Sequence, residues 1–143
     1  MSYIKKITEQ LKNLIAMSHN RFPENKDISM GLTAVETLCY HNRRKLFEIF
    51  LTHVYFKKSP DGTSFKELIS TRNIDFFLKR ESIAIVNLKN TKDSTVINVI
   101  NGIRDNWFEL EEEEKKAIWT YFDVLITLGD KYFIEQAKLQ NNI

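Results

Sequence analysis

The stretch LEEEEKKAIWTYFDVLITLGDKYF, Leu110 to Phe133, sets four glutamates against two lysines and then runs into a dense aromatic and aliphatic segment. Negative side chains in the first turn of a helix are stabilised by its unpaired N–H groups, by about 0.3–1 kcal/mol each. Glu111 and Lys115, like Glu112 and Lys116, stand at i, i+4 in the favourable order. The acidic run therefore reads as the start of a helix over about Glu111–Ala137. It does not read as a cation site, because consecutive helical residues point in different directions and cannot converge on one ion. At ~100° per residue, Ala117, Ile118, Tyr121, Leu125, Leu128 and Tyr132 form one stripe, and Trp119, Phe122, Ile126 and Phe133 form an adjoining one. Together they span roughly 220°, against the ~100° a surface helix needs. Two readings follow. Either this is the central helix of a bundle, or its outer stripe, Trp119, Phe122, Ile126 and Phe133, faces a second protein.

Upstream, Ile4, Ile7, Leu11, Leu14 and Ile15 recur at helical spacing, which predicts a helix from about Tyr3 to Ser18. Pro23 excludes helical geometry at Phe22. Asp27 is a candidate cap for a second helix striped by Ile28, Leu32, Val35 and Leu38, with Gly31 a local weakness of roughly 1 kcal/mol against Ala. Asn42 caps a third, about Arg43 to Tyr55. Pro60-Asp61-Gly62 is the strongest turn signal in the chain. Ser64 and Glu67 follow at capping-box spacing, opening a short helix from Phe65 to about Ser70. NIDFFLKR adds a turn or two. ESIAIVNLKN, Glu81 to Asn90, is β-like in composition, but a lone strand has no partner, so an irregular buried segment or short helix is expected. From Asp93 the helical period returns through Val96, Val99, Ile100, Ile103 and Trp107. The tail from about 138 is expected to fray.

The 143 residues suit one domain, and 43% hydrophobic with 28% charged residues is a globular balance. Four Gly and two Pro are too few for a turn-rich β fold. The expected fold is an all-α, single-domain bundle of about five or six helices. A net charge of +2 is no nucleic-acid signature. One cysteine, Cys39, excludes an internal disulfide and a multi-cysteine zinc site. The first residues show no signal-peptide pattern, and no run of about 18 apolar residues offers a membrane span.

Little in the chain carries chemistry. Cys39 and His41 at i, i+2 lie on nearly opposite helix faces, so a nucleophile–base pair is not expected and Cys39 reads as a small core residue. His19, His41 and His53 lack metal-ligand spacing. No phosphate-binding glycine motif or nucleophile elbow is present. Asp75, Glu81 and Asp93 have nothing that singles them out for acid–base work. No catalytic residue, cofactor or metal is expected. The basic clusters are Arg43-Arg44-Lys45, Lys57-Lys58 and Lys79-Arg80. Positive charge opening a helix is mildly unfavourable, so the first cluster implies compensation by carbonyls of the preceding helix or by a phosphate-bearing partner. Arg43, Arg44 and Lys45 are thus the candidate nucleic-acid or phosphate contacts, the alternative to a protein partner.

ITEQLKNLIAMSHNRFPENKDI, then LCYHNRRKLFEIFLTHVY, and NWFELEEEEKKAIWTYFDVLITLGDKYF resemble small helical proteins of nucleocytoplasmic large DNA viruses, of marseillevirus or mimivirus type. The matching residues are Phe22, Pro23, Glu24, His53, Val54, Tyr55, Trp107, Ile118, Trp119 and Tyr121, with NIDFFL a weaker match. Arg43 stands where such proteins often have Pro. The resemblance implies a viral origin and a role in the host cytoplasm, in a viral factory or in the virion, and it carries over no catalytic residue. The expectation is a non-enzymatic interaction or structural protein that binds a protein partner or itself, neither secreted nor membrane-spanning.

Overall fold

Ser2 opens the first helix: its Oγ accepts from Lys5 N at 3.2 Å, one of the donors a helix start leaves orphaned. The computed structural model describes residues 2–78 and 92–141; the basic pair Lys79-Arg80, the candidate acid Glu81 and the β-like segment 81–90 lie outside the described residues. Helix α1 runs Tyr3–Arg21 and ends at Phe22, immediately before Pro23. Helix α2, Lys26–His41, is capped by Asn25, whose side chain accepts from Ile28 N, and not by Asp27. Asn25 has the extended backbone a cap needs, whereas Asp27 already sits in the first turn, where its charge still favours the dipole.

Asn42 breaks the chain as its side chain predicts, accepting from Lys45 N, and α3 follows over Arg43–Phe50. The expected helix to Tyr55 continues, but as a wider π turn over Leu51–Tyr55. Phe56 N donates to Leu51 O, five residues back, at 2.9 Å. The turn at Pro60-Asp61-Gly62 forms with Gly62 at φ 91°, a conformation that suits glycine. Ser64 then caps α4, Phe65–Ser70, and Asn73 caps the single turn of α5, Ile74–Leu78. Helix α6 covers Lys92–Asp105, and a 3-10 turn at Trp107–Glu109 leads to α7, Glu112–Asn141. The described residues thus form an all-α fold of seven α-helices with a long C-terminal one. The end of α7 stays helical past the expected fraying point at about 138. Lys138 in its last turn suits the negative end of the helix.

The acidic start of α7 also has a tertiary role. Glu114 reaches back to accept from Glu111 N at 2.8 Å, half of a capping box. Its other oxygen meets Arg21 Nε at 2.8 Å. Arg21 donates in addition to Glu109 O, so the end of α1 is pinned to the start of α7.

One core unites the described helices, through Ile7 and Leu14 of α1, Val35 of α2, Phe47 and Phe50 of α3 and Leu125 of α7. The most extensive pairing among the described helices is α2 on α6, and two glycines allow its close approach. A Cβ built on Gly31 would stand 1.9 Å from Val99 Cγ2 and 3.3 Å from Thr95 O. One on Gly102 would stand 2.7 Å from Ile28 Cγ1. Each helix therefore offers the other a bare stretch of backbone, and a branched side chain fills each. Gly31 is a packing requirement, not the weak point its helix propensity suggests. Propensity alone would make Gly31→Ala stabilising by about 1 kcal/mol. The clash with a short, buried valine reverses the sign, and we expect a loss of about 1–3 kcal/mol in urea denaturation. Combining Gly31→Ala with Val99→Ala should cost less than the sum of the two single changes.

Candidate functional site

The outer stripe of α7 splits into three environments. Ile126 is only 6% exposed and belongs to the core, which corrects its reading as an interface residue. Trp119 is half-buried, with Phe77 and Trp107 edge-on to its ring at 5.9 Å each. The guanidinium of Arg72 covers it at 5.4 Å and pairs with Asp123 on α7 at 2.8 Å. An aromatic so enclosed is no free anchor, and Trp119 and Phe122 instead line a cavity. The exception is Phe133, which meets Phe56 at 5.4 Å and Tyr55 at 5.4 Å.

That aromatic group stands where α7 leaves the body of the bundle. Gly129 lets α7 approach Tyr55, because a Cβ there would fall 2.6 Å from the Tyr55 ring. Tyr55 donates its hydroxyl to Asp130 at 2.5 Å, and Lys66 Nζ meets both Asp130 oxygens at 2.9 Å. Burial, and then the hydrogen bond to Asp130, raise the Tyr55 phenol pKa, so the phenol stays a donor. Past this anchor Phe56 is 57% exposed and Ile134 56% exposed.

The cavity, about 70 Å³, lies between α4, α5, α6 and the first half of α7. Ile69, Phe77, Ile100, Trp107, Trp119 and Phe122 supply apolar wall, and His53, Lys57 and Arg104 supply the polar groups. The Arg104 side chain is 10% exposed. Its Nη1 is buried without a hydrogen-bond partner among the described residues. Its Nε stands 3.5 Å from Asp105, the next residue along the chain. Sequence reasoning passed over Arg104, although a signal exists: it follows Ile97 and Ile100 at i+7 and i+4, a charge on an apolar stripe.

Arg43, Arg44 and Lys45 do not form one patch. Arg43 turns inward, donating to Glu9 Oε1 at 3.0 Å, Thr8 Oγ1 at 3.2 Å and Cys39 O at 3.5 Å. The last bond is to a C-terminal carbonyl of α2, the compensation anticipated for a cation opening α3. Arg44 is exposed beside Glu48 at 3.8 Å. Cys39 is half-buried, its Sγ 3.8 Å from Thr8 O, and burial pushes its thiol pKa up, away from the reactive thiolate. His41 is exposed and packs edge-on against Tyr40. Among the described residues no group of three His, Cys, Asp or Glu could hold a metal ion, and no helix is long and apolar enough to cross a membrane. No protein-family model, curated protein or solved structure matches the chain.

The Arg43–Glu9 contact has a testable pH dependence. Hydrogen bonds from Lys12, then from Arg43, hold the Glu9 carboxyl below the usual glutamate range. A depressed folded pKa stabilises above the unfolded value, and that contribution disappears as pH falls through the folded one. Glu9 is 35% exposed, so solvent screening limits the pair to about 1 kcal/mol or less. Arg43→Ala should lower stability by about that amount at pH 7. The gap to the wild type should narrow as pH falls below about 4, measured by thermal unfolding across pH.

Proposed function

We propose that the protein is a non-enzymatic structural module that pairs with a second copy of itself through the outer half of α7. The supporting observation is the exposed apolar ridge at that end: Ile134 with Ala137 and Phe133 beside it, and Phe56 packed on Phe133. Asp130 and Lys138 lie one turn to either side of Ile134 on the same i±4 row. Two α7 helices crossing antiparallel at Ile134 bring each Lys138 opposite the other copy's Asp130, where it would join the cation Lys66 already on that carboxylate. A two-fold contact requires this kind of self-complementary surface, and i±4 rows are the ridges by which helices commonly interdigitate. The resemblance to proteins of large DNA viruses supplies the setting of the proposal, a component of the virion or of a cytoplasmic viral factory. The pairing of Arg43 with Glu9 favours this reading over the phosphate-binding alternative.

Light scattering across a concentration series tests the pairing. A small apolar ridge gives a weak dimer, with Kd on the order of micromolar. Added salt should weaken it only modestly, because Asp130 is half-buried and already paired with Lys66. Ile134→Glu should yield a monomer with unchanged helix content, since Ile134 packs into no core. A wild-type protein that stays monomeric at several hundred times that Kd, roughly 0.5 mM, removes the proposal. So does an Ile134→Glu variant that still dimerises.

A further inference from the structure

Arg104 poses a problem the fold leaves unsolved. A guanidinium is always charged and carries five donors in a planar fork. Burying one beside an apolar cavity without a full set of acceptors is costly unless something neutral or anionic completes it. Among the described residues the cavity wall contains no carboxylate, and Lys57 adds a second cation to it. The Asp105 contact reaches only Nε, leaving Nη1 unpaired. We infer that this cavity binds a small carboxylate with an alkyl tail, the carboxylate on Arg104 and the tail among the aromatic and aliphatic walls.

The chemistry of the walls narrows the ligand class. Phe77, Ile100, Trp107 and Trp119 are a poor setting for a doubly charged, strongly hydrated phosphate. A carboxylate brings one negative charge, and its two oxygens suit the guanidinium fork. Size narrows it further. At about 70 Å³ the cavity is well below the ~150 Å³ that admits a benzene ring. A second void of about 40 Å³ shares Val54, Ile97, Ile100, Ile103 and Phe122 with the first. It lies on the α1 and α3 side of those shared side chains, among Leu11, Leu14, Leu46 and Ile49. The space therefore suits a short, flexible tail of about two carbons and not a ring.

The protein carries its own reporter, because its two tryptophans, Trp107 and Trp119, both line the cavity. Sodium propionate is titrated into the full chain while tryptophan fluorescence is followed. Propanol and inorganic phosphate serve as the tail-only and anion-only probes. A saturable change with propionate is expected, with propanol and phosphate each binding at least tenfold more weakly. Arg104→Met, close in volume and without charge, should weaken propionate at least tenfold while circular dichroism stays unchanged. Arg104→Lys should retain partial binding, and it keeps the test decisive if the methionine variant does not fold. Absence of saturation, propanol binding as well as propionate, phosphate doing the same, or full affinity in both Arg104 variants would each overturn the inference. Self-association of α7 is read independently by light scattering, so either proposal can fail alone.

Discussion

The bare-backbone contact between α2 and α6 is the constraint on which the rest of the packing depends. Gly31 admits Val99, and Gly102 admits Ile28, so the two helices approach more closely than side chains on both sides would permit. Dispersion falls away steeply with a radial gap, so this closeness turns two modest aliphatic side chains into a dense contact. It also sets where the other face of α6 stands. That face presents Ile97, Ile100 and Arg104 toward α4, α5 and α7, and the cavity is the space left between them.

Helix α7 meets the bundle differently along its length. Its first half is held by polar clamps at the periphery, Arg21 to Glu114 and Arg72 to Asp123, over a core contact through Ile118 and Leu125. Gly129 and the Tyr55–Asp130–Lys66 network mark the last firm anchor. Beyond it the helix carries Ile134 and Leu139, both more than half exposed among the described residues. That end extends a helix already nucleated by its packed half, so a partner that covers Ile134 adds burial without having to form the helix. This links the proposed pairing to the energetics of the element that carries it.

Much of the fold was legible because helix caps and apolar stripes are local. Asn42, Ser64 and the Glu111–Glu114 run act within three or four residues, and the segment Phe65–Ser70 forms as its cap and stripe require. The cap of α2 was assigned two residues late, since Asn25 and Asp27 are chemically similar and only backbone geometry separates them. The site was far less legible. Trp119 and Phe122 occupy a stripe broad enough to suit either a core or an interface, and periodicity does not distinguish the two. Arg104 resembles any surface arginine until the helices facing it are in place.

From sequence alone came the all-α class, the helix boundaries to within a few residues and the breadth of the apolar arc on α7, each set by interactions within one or two turns. The partners of the polar groups came only with the tertiary structure. Arg43 meets Glu9 from 34 residues away, and Tyr55 meets Asp130 from 75. The sign of the glycine effect at Gly31 likewise depends on Val99, a residue on another helix. Local rules specify which faces of a helix are apolar, but only the packing of distant segments decides which face is covered, and by what.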